Sequence, residues 1–142
     1  MSWERAKTYL QDVANELGIG IELLTAQQAQ SLRDRASRRF SDRTSNGITT
    51  ENLVDCARLS RDNSWQYIES FEFVGPVILF TNLRDGESMF KFSSIRDAMA
   101  VLKEAPPFDF YLIDQDCSFL LAHNEYDTLF GCGAAKPFVE SL

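Results

Sequence analysis

The sequence has one histidine, three cysteines and four prolines among its 142 residues. A single histidine excludes an H-E-x-x-H site and any multi-histidine zinc centre. The cysteines, Cys56, Cys117 and Cys132, stand 61 and 15 residues apart with no C-x-x-C pair. That spacing predicts three reduced thiols and no closed zinc site. No uninterrupted apolar run approaches the roughly 20 residues of a transmembrane helix. The opening MSWERAKTYLQD has charges where a secretory signal needs its apolar stretch, so a cytoplasmic location is expected. There is no Walker-type loop, and Gly131-Cys132-Gly133 lacks the spacing of a dinucleotide fingerprint. No cofactor and no metal is expected.

Lysine and arginine are missing from one long stretch. Residues 104–135 contain neither, yet carry Glu104, Asp109, Asp114, Asp116, Glu125 and Asp127. The formal net charge is -7, and residues 71–142 supply -6 of it, with five basic residues against eleven acidic ones. Such a field repels phosphate backbones and anionic lipid heads, so neither nucleic acid nor a membrane is expected as partner. It suits a basic protein, a cation, or nothing beyond solubility. The one basic cluster, Arg33, Arg35, Arg38, Arg39 and Arg43, is interleaved with Asp34 and Asp42. It reads as a solvated helix face.

What is present is enough apolar residue for a core: 44% of the chain is hydrophobic. Trp3, Ala6, Leu10, Val13, Ala14 and Leu17 follow helical spacing, with Ser2 as cap and Gly18 as stop. Ile19–Leu23 is a connector with extended character. Thr25-x-x-Gln28 is a capping box for a second helix striped by Ala26, Ala29, Leu32, Ala36 and Phe40. Residues 41–49 have loop composition, with Asn46-Gly47 as turn pair. Thr49 or Thr50 caps a third helix using Leu53, Val54 and Ala57. Trp65, Ile68, Phe71 and Phe73 fit either a short helix from Ser64 or strands.

Ten of the eleven Phe residues lie at position 71 or later. There Val77–Thr81 reads as a buried strand, Asp85-Gly86 as a turn, and Ser88–Phe92 as a returning half-exposed strand. Ser94 and Asp97 frame a helix with Ile95, Ala98, Met99 and Leu102 on one face, and Pro106-Pro107 stops it. Three runs, FDFYLID, SFLLAH and DTLFG, have short separators and form an antiparallel meander. The fold expected is a single α+β domain over residues 1–142. Its helices pack on one face of an antiparallel sheet of about five strands, with β-β-α-β-β-β order in the second half.

Candidate functional residues cluster in the meander. His123 is the one side chain that titrates near neutral pH. A three-residue loop, Asn124-Glu125-Tyr126, sets it across from Asp127, a carboxylate able to orient and charge an imidazole. No local nucleophile signature accompanies it. Asp114-Gln115-Asp116 lies in the preceding turn. Its carboxylates can share a hard cation with Glu125 or Asp127, or simply bond the turn backbone. Strand alternation puts Phe108, Phe110 and Leu112 on one face and Asp109, Tyr111 and Ile113 on the other. A mixed tyrosine and acid surface suits protein recognition.

The stretch from Phe110 to Gly133, FYLIDQDCSFLLAHNEYDTLFGCG, follows VILFTN, a short helix and a Pro-marked break. Over residues 64–133 this pattern resembles small cytosolic bacterial domains of unknown function and immunity proteins of contact-dependent and polymorphic toxin systems. The resemblance implies a stoichiometric, acidic binding protein that blocks a toxin domain, and the acidic C-terminal sheet favours a non-enzymatic module that meets a basic protein, with a toxin nuclease as the concrete partner. Asp114, Asp116, Glu125 and Asp127 then steer the partner, with Tyr111 or Tyr126 as aromatic anchor and His123 beside them. Two other readings compete. One is a small hydrolase or metal-dependent enzyme using His123, Asp127, Asp114 and Asp116. The other is a structural adaptor that binds through helix 26–40.

Overall fold

The computed structural model describes residues 3–42, 47–105 and 107–142. Ser2, Arg43, Asn46 and Pro106, each given a role above, lie outside these residues.

Helix α1 (Trp3–Leu17) buries Trp3, Ala6, Leu10, Val13 and Ala14. It stops at Gly18, whose φ of 69° is the left-handed conformation that ends helices at little steric cost. The connector contains strand β1 (Ile21–Leu23). Helix α2 (Ala26–Phe40) starts at a complete capping box. Gln28 N donates to Thr25 Oγ1 at 3.1 Å, and Thr25 N donates to Gln28 Oε1 at 2.9 Å. A Thr25→Ala variant should lose about 1 kcal/mol of stability, the usual worth of an N-cap, read from urea unfolding.

The expected third helix does not form. Asn52 organises a loop instead, accepting from Thr49 N at 3.0 Å and donating to Gly47 O at 2.9 Å. Asp55 then takes a left-handed φ of 51°, which no helix continues through. The chain enters strand β2 (Cys56–Ser60), and a 3₁₀ helix follows over Ser64–Ser70, resolving the helix-or-strand choice at Ser64. Next come β3 (Val77–Phe80), β4 (Phe90–Phe92) and α3 (Ile95–Leu102). Ser94 caps α3 by accepting from Asp97 N at 3.1 Å. The meander is β5 (Phe110–Ile113), β6 (Phe119–His123) and β7 (Thr128–Gly133). A helix absent from the expectation, α4 (Lys136–Glu140), follows, with proline in its first turn.

Among the described residues, seven strands join one antiparallel sheet in the order β1-β4-β3-β5-β6-β7-β2. The α+β class holds, but the sheet has seven strands rather than about five, because β1 and β2 add an edge on each side. Helices also cover both faces, not one. Leu79, Phe90, Phe110, Leu112, Phe119 and Leu121 pack in the core with α1, α3 and α4. Ile78, Phe80, Tyr111, Ile113, Leu120 and Ala122 pack with Ala29, Ala36 and Phe40 of α2. The small alanines let α2 lie close to the sheet, and Ala29, Ala36 and Phe40 of its apolar stripe are spent on the core. Ala26 stays exposed and Leu32 half-buried on this helix.

Arg33 corrects the idea of a wholly solvated basic face. It is buried, its NH1 donates to Thr81 O at 3.2 Å, and its guanidinium lies 5.1 Å from the Phe80 ring centroid. The cysteines bring another correction. Cys56 and Cys132 sit directly opposite across β2 and β7, with Cα atoms 4.4 Å apart, and form a disulfide. Only Cys117 is free, and it is buried. The expectation of three reduced thiols therefore falls. Among the described residues, no helix is long and apolar enough to cross a membrane.

Candidate functional site

Strand β6 separates the nominated acids into two groups. The turn carrying Asp114 and Asp116 precedes it, and the turn carrying Glu125 and Asp127 follows it. Five residues of strand put them roughly 16 Å apart at the usual rise. Among the described residues, no three His, Cys, Asp or Glu side chains are arranged to hold a metal ion.

The first turn is structural. Asp114 is only 5% exposed and accepts from Ser118 N at 2.7 Å, Phe119 N at 3.3 Å and the Ser118 hydroxyl. Its carboxylate thus replaces the backbone acceptors that a tight turn leaves out. The chain's own basic helix supplies cations here: Arg35 NH1 donates to Gln115 O at 2.7 Å, and Arg39 Nε to Cys117 O at 2.9 Å. Asp114 cannot steer a partner from this position, and only Asp116 remains exposed. Tyr111 is not an available anchor either. It is wholly buried, stacked on Phe80, with its hydroxyl donating to Asn82 Oδ1 at 2.6 Å. Burial pushes its phenol pKa well up.

The second turn is open. Asn124 Oδ1 accepts from Tyr126 N at 3.0 Å and Thr128 N at 3.1 Å, and Glu125 N donates to Asp109 Oδ1 at 3.0 Å. These bonds fix a tip from which Tyr126 projects, 80% exposed. The loop has four residues rather than three, so His123 pairs in register with Leu129, not with Asp127. Asp127, in left-handed backbone at φ 58°, nevertheless turns back toward the imidazole. Its Oδ1 lies 3.4 Å from His123 Nε2, close enough to pair with the ring when it is protonated.

Behind this tip lies a cleft of about 310 Å³. The 3₁₀ helix forms one wall with Trp65, and the end of α3 forms another with Leu102 and Lys103. Phe108, Phe110 and His123 lie beneath, and Glu125 and Asp127 stand at the rim. Ser64 clamps the 3₁₀ wall to the tip by donating from Oγ to Asp127 O at 2.9 Å, and Arg61 N donates to the same oxygen at 3.2 Å. Lys103 is held by Glu69 at 2.6 Å. His123 is 7% exposed, and its Nε2 makes no hydrogen bond.

Burial lowers the His123 pKa, and the nearby Asp127 and Asp109 carboxylates only partly offset it. In the unfolded chain the ring titrates near its ordinary 6.5. As pH falls through that value the unfolded state binds the proton first, so folding stability is lost toward the lower folded pKa. Above 6.5 the group contributes no pH dependence. A His123→Gln variant should therefore show a flatter stability profile between about pH 7 and pH 5 than the wild type in denaturant titrations.

Of the residues nominated from sequence, the structure gathers His123, Glu125, Asp127 and Tyr126 at one end. It leaves Asp116 at the other and buries Asp114 and Tyr111. The sequence reasoning missed Trp65 and Asp109 as members of this end. Asp109 is visible in the sequence as one of six acids and as a strand-face neighbour of Tyr111; its place here follows from accepting the Glu125 amide across the meander. Comparison with known proteins returned no matching family model, no matching curated protein and no matching solved structure.

Proposed function

We propose that the chain is a non-enzymatic binding protein that engages a basic protein through the end of the sheet formed by the β6–β7 turn. An immunity-type inhibitor of a basic toxin domain is the concrete form suggested by the C-terminal pattern. The observation that carries this reading is Tyr126, 80% exposed at a hydrogen-bonded tip and flanked by Glu125 and Asp127, with Asp109 bonded beneath. Exposed aromatic anchors amid charge are what hot spots use, and the surrounding acids would speed encounter with a basic surface.

A hydrolytic reading draws on His123 in a cleft, but none of the described lining residues is Ser, Thr or Cys. The test is capture of the partner by co-purification from the native host, followed by binding measurements with the Glu125→Gln, Tyr126→Ala, Asp127→Asn triple variant. Loss of binding with an unchanged circular dichroism spectrum supports the reading. A partner retained at wild-type affinity overturns it.

A further inference from the structure

The disulfide at the edge of the sheet stands where a reductant reaches one of its sulfurs and not the other. We infer that the Cys56–Cys132 bond is a redox switch: a dithiol opens it from the Cys56 side, frees the edge strand β2, and loosens the tip that β2 holds. The effect on a partner rests on the binding role proposed above; the exchange and the loosening do not.

The approach decides which sulfur is attacked. Thiol–disulfide exchange places the incoming thiolate in line with the S–S bond, behind the sulfur it attacks. Cys132 is fully buried on β7, and the line behind its sulfur runs toward its other cross-strand partner, Leu120 of β6, beneath α2. Cys56 is half-exposed, and among the described residues β2 has no strand on its far side. The line behind its sulfur therefore runs outward across the edge of the sheet. Cys56 Sγ also lies 3.0 Å from Val54 O. A disulfide sulfur has no proton to donate there, but the thiol left by reduction has, so the open state finds an acceptor in place.

One sulfur of the dithiol bonds to Cys56 as the Cys56–Cys132 bond breaks, and Cys132 leaves as a thiolate that takes a proton. The second sulfur of the dithiol then attacks the first, releasing Cys56 as a thiolate that is protonated in turn. Two electrons pass from the dithiol, which ends as a disulfide, to the cystine.

The consequence follows from what β2 carries. Reduction leaves its Cys56 end to the ladder with β7, the packing of Ala57 and Leu59, and a surface Lys136–Asp55 ion pair of small worth. At its other end the chain passes from Ser60 into Arg61 and Ser64. Arg61 N and Ser64 Oγ both donate to Asp127 O, at 3.2 and 2.9 Å. An edge strand opens at lower cost than the centre of a sheet, and as β2 frays this clamp on the tip is lost with it.

The test uses the whole protein and dithiothreitol. Reduction should be first order in dithiothreitol and unchanged by urea below the unfolding transition. Brief exposure to glutathione, quenched with acid and mapped by peptide, should leave about tenfold more mixed disulfide on Cys56 than on Cys132. In the reduced protein the Arg61 amide should exchange its hydrogen about tenfold faster by NMR, while the Leu121 amide in central β6 is unchanged. Reduction that rises steeply with sub-denaturing urea, or an adduct shared equally between the two cysteines, overturns entry at Cys56. Unchanged exchange at Arg61 overturns the switch. The captured partner should associate several-fold more slowly with the reduced protein, and equal rates for the two forms overturn control of binding. If Arg61 exchange is unchanged while the tip variant still loses the partner, this inference falls and the binding role stands. If Arg61 loosens while the tip variant keeps its partner, the binding role falls and the switch stands.

Discussion

Reducing the Cys56–Cys132 disulfide should lower the melting temperature by roughly 6–12 °C, making it one of the two largest single perturbations expected of this protein. The bond joins residues 76 apart in sequence, and it ties the edge strand β2 to β7. A crosslink closing so long a loop removes conformational entropy from the unfolded chain, worth about 2–4 kcal/mol in typical cases. The effect should be strongest at the edge, because β2 has no second strand neighbour to hold it. A Cys56→Ala, Cys132→Ala double variant should melt like the reduced wild type and show no further response to reductant. Thiol titration of the denatured, unreduced protein should count one group, Cys117. A count of three would show that the cysteines are not paired and restore the expectation drawn from their spacing. In the folded protein Cys117 should react slowly, since burial raises its thiol pKa and limits access.

The second large effect concerns Asp114. An Asp114→Ala variant should lose about 3 kcal/mol, because two backbone amides and one hydroxyl at the β5–β6 turn lose a buried carboxylate acceptor together. Asp114→Asn should lose less, since its carbonyl can still accept from Ser118 N. Neither variant should change the rate of association with a basic partner, because the side chain is enclosed and faces its own turn. Asp127→Asn should do the reverse, leaving stability nearly unchanged while slowing association. Urea unfolding and surface plasmon resonance on the same set of variants separate the two roles. An Asp114→Ala protein as stable as wild type would contradict the turn assignment.

Local signals in the sequence translate well into local structure. Thr25 and Gln28 specify a cap through groups three residues apart, and the short separators of the meander specify β5, β6 and β7 as neighbours. What depends on distant pairing was not legible. Strand β2 is half-exposed and pairs with residues about seventy positions away, so nothing near Cys56 announces a strand. The disulfide follows from that register, which cysteine spacing does not encode. One signal for helices on both faces was present: VILF, FYLI and FLLA are apolar at consecutive positions, as strands covered on both sides must be.

The same division holds at the candidate site. Glu125 and Tyr126 are readable as tip residues from the turn between two apolar runs. Tyr111 was misplaced because strand alternation puts it on a face with Asp109, and only the α2 layer shows that this face is interior. Asp114 looked like Asp127 in sequence, an acid in a turn. The difference is that Asp114 closes its own turn, whereas Asp127 turns toward His123 and the cleft.

The most direct measurement of the binding role is the association rate of the basic partner with wild type and with the Glu125→Gln, Tyr126→Ala, Asp127→Asn variant at low and high ionic strength. An acidic tip that steers its partner predicts association about tenfold slower for the variant at low salt, and a difference that shrinks as salt screens the rim. Equal rates for the two proteins at low salt would contradict it.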